Sequence, residues 1–104
     1  MKFNKLVRDE IPRIIEDTGK WCRYHIAGLD EYETHLYKKM GEELDEFIET
    51  PSYEEAADMW EVFKAICEFH RLDINHVKSE ALKKKMKRGA FKERIILDEV
   101  NESR

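Results

Sequence analysis

Between Met40 and Phe63 the chain carries nine carboxylates (Glu42, Glu43, Asp45, Glu46, Glu49, Glu54, Glu55, Asp58 and Glu61) and no Lys, Arg or His. Two pairs stand out, Glu43 with Glu46 and Glu55 with Asp58, each three residues apart. On a helix such residues are surface neighbours. An anionic carboxylate in an apolar seam is costly unless it is paired or bound to a metal. Four of them facing one seam suit a hard divalent ion, Mg²⁺ with Mn²⁺ as a substitute, which favours carboxylate and water oxygens and takes substrate phosphates. No His lies among the four, which disfavours zinc and redox metals.

These side chains depend on the helices that carry them. Tyr32, Leu36, Met40, Leu44, Phe47 and Ile48 recur at helical spacing and predict a helix over residues 31–49, with Asp30 as N-cap and Glu33 completing a capping box. With Leu36 at zero on a helical wheel, Met40, Leu44 and Phe47 fall at about 40°, 80° and 20°. Glu43 falls at about −20°, inside that stripe, and Glu46 at about −80°, on its edge. Asp45 and Glu49 point away. Thr50-Pro51-Ser52 breaks the helix, and a second one is predicted over residues 53–70. There Val62 and Ile66 fall at about 240° and 280° from Ala56, with Glu55 between them at about 260° and Asp58 at about 200°. Glu54 and Glu61 fall on the solvated side. Ser52-Tyr53-Glu54-Glu55 is itself a capping box, so a purely structural role for Glu55 stays open. The short gap from Glu46 to Glu55 makes the two helices an antiparallel hairpin.

The remaining segments are less regular. Residues 4–18 form a first segment, with Pro12 near a helix start and Gly19 past the helix end. Residues 20–27, with Trp21, Cys22, Tyr24 and Ile26, suit a short strand or an extended arm. A further helix is expected from near Asn75 to Arg88, stopped by Gly89. The expected fold class is all-α, an antiparallel helix bundle in a single domain over residues 1–104, with a possible short extended segment near residues 20–27.

Composition narrows the classes further. The 104 residues are 41% hydrophobic and 40% charged, with a net charge of −4. A chain of this length has a thin core that oligomerisation would help. No apolar run reaches the ~20 residues of a membrane span, and no secretory signal is expected at the start. Cys22 and Cys67 show no CxxC spacing and suit a reducing, cytoplasmic setting as inert thiols. The mild acidity argues against a general nucleic-acid binder.

Phosphate would need cations. Lys83, Lys84, Lys85, Lys87 and Arg88 crowd the end of the last helix, where they also favour its dipole. Lys85 and Arg88 lie one turn apart, and the planar fork of Arg88 suits phosphate oxygens. Lys5 and Arg8 share that spacing; the bland alternative for them is an ion pair with a neighbouring or hairpin acid. Trp60, Phe63 and Met59 read as core or dimer interface. Trp21 and Tyr24 could stack on a base, but packing is the favoured expectation for them.

The run Glu42-Glu43-x-x-Glu46, a short gap, then Glu55-x-x-Asp58 resembles the ExxE…ExxD signature of MazG-like nucleotide pyrophosphohydrolases, of the all-α NTP pyrophosphatase superfamily. The opening Asn4-Lys5-Leu6-Val7-Arg8-Asp9-Glu10-Ile11-Pro12 is similar to the N-terminus of its phosphoribosyl-ATP pyrophosphohydrolase-like subgroup. Lys85-Met86-Lys87-Arg88-Gly89-Ala90-Phe91 and Arg94-Ile95-Ile96-Leu97 resemble the subgroup's C-terminal end. The resemblance implies a helical bundle assembling as a homodimer or homotetramer. It also implies Mg²⁺-dependent cleavage of a nucleoside triphosphate between its α and β phosphates, giving the monophosphate and pyrophosphate. The implied metal ligands are Glu43, Glu46, Glu55 and Asp58. Glu42, Glu43 and Glu46 would form the catalytic acidic run, with Glu46 or Glu42 accepting a proton from water. Lys5, Arg8, Lys85 and Arg88 are the candidate contacts to the nucleotide substrate. The alternative is a non-catalytic helical dimerisation module whose acidic hairpin contacts a basic partner.

Overall fold

A computed structural model of the chain describes residues 4–102. Four helices follow one another: α1 (Ile11–Asp17), α2 (Leu29–Glu49), α3 (Tyr53–Phe69) and α4 (Ile74–Arg88). No strand occurs among the described residues, so the all-helical expectation holds. The chain divides into two compact units, Met1–Leu72 and Asp73–Arg104.

In the first unit α2 and α3 pack against each other, joined only by Thr50, Pro51 and Ser52. Ser52 starts α3: its backbone is extended and its Oγ accepts from the Glu55 N–H at 3.1 Å. That bond satisfies one of the four orphan donors of the first turn. Leu36 on α2 and Cys67 on α3 are the fully buried hydrophobic side chains. Around them Tyr32, Met40, Phe47, Met59, Val62, Ile66 and Phe69 are half-buried. Tyr32 meets Phe69 edge-on at 5.8 Å, closing the open end of the hairpin. Nearby, the Tyr37 hydroxyl lies 3.0 Å from Glu33 and 2.7 Å from His70 Nε2, a second link from α2 to the end of α3.

Some local expectations hold and others change. Pro12 does lie near a helix start: residues 4–8 carry no helix and α1 starts at Ile11 with Pro12 in its first turn. Proline has no N–H and its ring clashes with the carbonyl of the preceding turn, so Pro12 is tolerated in the first turn, where that bond is not made. The capping box at Asp30 does not form. Gly28 is the N-cap of α2, in extended conformation with no side-chain cap, and Asp30 and Glu31 fall within the first turn. There they favour the helix dipole. Glu31 pairs with His25 at 3.0 Å, and Glu33 receives Tyr37. Residues 20–27 form neither helix nor strand, with Trp21 and Ile26 both exposed.

In the second unit Asp73 caps α4, its carboxylate accepting from the N–H groups of Asn75 and His76 at 2.8 and 3.0 Å. Gly89 ends the helix at φ 85°, its N–H returning to the Lys85 carbonyl. Only a residue without Cβ takes that left-handed conformation at little cost. Beyond it, Phe91, Ile95, Ile96, Leu97 and Val100 are exposed, in neither helix nor strand.

Candidate metal centre

The α2–α3 hairpin brings the two acidic pairs together beside its connection. Carboxylate oxygens of Glu43, Glu55 and Asp58 all lie within 4.8 Å of one another. Two oxygens on opposite sides of one cation are about 4.2 Å apart for Mg²⁺ and about 4.8 Å apart for Ca²⁺. The spread is therefore at the upper end of what a single ion spans. Glu46, the fourth expected ligand, is exposed and lies outside this trio, though its charge acts on both Glu43 and Glu55.

Burial is what separates this group from other surface acids. Glu43 is 6% exposed, the one buried charged side chain among the described residues. Its Oε2 has no hydrogen-bond partner, and neither has the buried Oε2 of Glu55. Buried polar atoms are nearly always satisfied, so two orphan oxygens in one cluster call for a missing partner. Both residues have raised pKa values. Burial is the main cause for Glu43, followed by Glu46, with Lys39 pulling the other way. Burial again leads for Glu55, followed by Glu46 and Asp58. A bound cation would relieve each of these penalties. The donor set is all oxygen, which suits Mg²⁺ or Mn²⁺.

Cations ring the cluster without filling it. Arg8 bonds Asp58 through Nη2 at 2.7 Å, across 50 residues of sequence. Lys39 lies 3.6 Å from Glu43 and 3.8 Å from Glu42, and Lys5 lies 3.9 Å from Glu42. Glu42 thus stands between two lysines at the rim, outside the trio that shares a centre. Lys5 and Arg8 sit on hairpin acids, the bland placement foreseen for them. Lys85 and Arg88 lie on α4 in the second unit, both exposed.

The Glu33–Tyr37–His70 chain escaped the sequence reading. Only the i,i+4 spacing of Glu33 and Tyr37 hinted at it, and nothing in the sequence placed His70 beside them. No family model matches the chain. Neither a curated protein nor a solved structure matches it.

Proposed function

We propose that the chain is a MazG-like, divalent-metal-dependent nucleoside triphosphate pyrophosphohydrolase, and that Glu43, Glu46, Glu55 and Asp58 hold Mg²⁺ or, in its place, Mn²⁺. The unpartnered Glu43 Oε2, buried on the packing face of α2, carries this reading. Lys39 pairs with one Glu43 oxygen, and a purely structural hairpin has little use for a second one buried without a partner. When bound, the ion would neutralise charge on the phosphate oxygens and acidify a water.

The chain's own groups divide the remaining work. Glu43, Glu55 and Asp58 converge from two helices and fix the position of the centre. Glu46, exposed beside them, is placed to accept a proton from the attacking water. Glu42, held by Lys5 and Lys39, keeps those cations at the rim. Arg8 is the nearest guanidinium to the cluster and can exchange Asp58 for a phosphate oxygen, which its fork suits equally. Lys85 and Arg88 are the further candidates for phosphate contact.

The apolar residues left exposed on the hairpin support a homo-oligomer. Leu44 and Ile48 on α2 and Trp60 and Phe63 on α3 are all more than a third exposed. A second copy would cover such a stripe.

The test is a screen of ordinary, deoxy and damaged nucleoside triphosphates with purified protein and Mg²⁺ or Mn²⁺. Release of pyrophosphate and the monophosphate is expected for at least one, and Asp58→Asn should abolish it while helix content is kept. No turnover by folded protein, together with no heat of Mg²⁺ or Mn²⁺ binding at millimolar ion, would leave the binding-module reading in its place.

A further inference from the structure

Two exposed surfaces of this chain carry opposite charge and remain outside the metal centre. The first is the outer side of the hairpin connection. Asp45 and Glu49 lie one turn apart on α2, and Glu54 lies at the start of α3. All three are exposed, and no cation pairs with them among the described residues. Tyr53 stands between Glu49 and Glu54 in sequence, 97% exposed. The second surface is one face of α4. Lys83, Lys87, Lys84 and Arg88 fall within about 140° of arc on a helical wheel. These four line one shallow concavity with Met86 and Glu80. Lys83 pairs with Glu80 at 3.3 Å, whereas Lys84, Lys87 and Arg88 have no acidic partner among the described residues. Met86 is 80% exposed within this cationic face.

We propose that the cationic face of α4 in one copy docks on the acidic hairpin tip of a second copy. Charge complementarity selects the occupant: the only long cation-free acidic stretch in the sequence is this hairpin, and its outer acids are the ones its own fold leaves unpaired. Like charges also resist every other self-pairing, α4 on α4 or tip on tip. The apolar complement points the same way. Tyr53 offers a flat exposed ring to Met86 and to the Arg88 guanidinium, the residue types that dominate protein interfaces. This contact is independent of the metal reading, since it uses the acids that face away from the centre.

The experiment uses the full chain. Equal amounts of ordinary and ¹⁵N-labelled protein are mixed and treated with a zero-length carbodiimide, and linked peptides joining α4 lysines to Asp45, Glu49 or Glu54 are weighed. Peptide pairs of mixed mass are expected, and their yield should fall about tenfold when salt rises from about 0.05 M to about 0.5 M, as the screening length shortens. Two variants then exchange the charges: Lys83→Glu with Lys84→Glu and Lys87→Glu in one, Asp45→Lys with Glu49→Lys and Glu54→Lys in the other. Each alone should lose the faster-sedimenting, salt-sensitive species in sedimentation velocity, and mixing the two should restore it. A Lys84→Gln, Lys87→Gln variant provides a milder loss if reversal unfolds α4, as judged by helix content. Linked pairs of same-chain mass only would overturn the proposal. So would charge variants that self-associate normally while losing affinity for a nucleic-acid oligonucleotide, which would make α4 a polyanion surface instead.

Discussion

Replacing Glu43 by Gln should have opposite effects with and without metal. In the metal-free protein the Glu43 carboxylate is 6% exposed and one of its oxygens is unpartnered. Lys39 at 3.6 Å offsets only part of that cost, because burial and Glu46 together still raise its pKa. Gln has the same shape and no charge to desolvate, so Glu43→Gln should stabilise the metal-free fold by about 1 kcal/mol. For a domain of this size that is a rise in Tm of about 4–8 °C. With Mg²⁺ at about one hundred times its Kd, the wild type should gain about 2.7 kcal/mol by linkage, and the variant much less. The ranking then inverts between chelator and Mg²⁺. The pH dependence has a definite sign. A carboxylate whose folded pKa lies above its unfolded one contributes stability fully present below the unfolded value, and lost as pH rises through the folded value. Glu43 and Glu55 are both in this class. Metal-free wild type should therefore lose stability as pH rises above the ordinary carboxylate range, and Glu43→Gln should flatten that slope. Thermal melts by circular dichroism, in chelator and in Mg²⁺ across this pH range, read all of it. A variant less stable than wild type in chelator, or one stabilised equally by Mg²⁺, would refute the reasoning.

Arg8→Ala should cost about 0.5 kcal/mol or less, because both partners of its ion pair are substantially exposed. It should tighten Mg²⁺ binding by roughly threefold, the equivalent of about 0.6 kcal/mol, since Asp58 loses its internal cation; calorimetry reads both directions. Ser52→Ala removes the oxygen that accepts the Glu55 N–H and should lower stability by about 1 kcal/mol in urea melts. Leu36→Ala empties the most buried apolar position, at 2% exposure, and should cost about 2–5 kcal/mol, enough to unfold much of the chain at 37 °C.

The hairpin was legible because its two helices obey one period. Leu36, Met40 and Phe47 define a stripe, and the wheel that places Glu43 inside it and Glu46 on its edge matches a buried Glu43 and an exposed Glu46. Ser52 was legible for a local reason as well, since a cap needs only the next three residues. Asp30 failed on the same kind of local pattern. The chain enters α2 in extended form at Gly28, one residue before Leu29, so Asp30, meant for the cap, falls inside the first turn. Where a helix begins depends on the direction from which the chain arrives, and a four-residue window does not contain that. The Arg8–Asp58 bond and the Tyr37–His70 contact span 50 and 33 residues and follow from packing alone. The second unit shows the limit from the other side. Its cap at Asp73 and its stop at Gly89 follow local rules, while its exposed apolar residues, Met86 and Phe91 among them, report no internal partner to read.

The same hairpin holds two kinds of acid, and the contrast between them weighs on the choice between enzyme and binding module. Asp45, Glu49 and Glu54 keep their carboxylates in water, where repulsion between them is screened and costs little. Such groups serve a surface that meets a basic partner, and a module would need no others. Glu43 occupies a packing position in a hairpin with only two fully buried hydrophobic side chains, where a Leu would add roughly 2 kcal/mol of burial. Glu55 and Asp58 face it from the other helix. A sequence that places an anion where its small core most needs a hydrophobe gives up stability in the free state. On the proposed reading, that loss is recovered when a cation binds. Lys39 and Arg8 are close enough to moderate the charge, but they leave two oxygens unserved. These two oxygens are where the proposed cation would complete the centre, and they are what a binding module leaves unexplained.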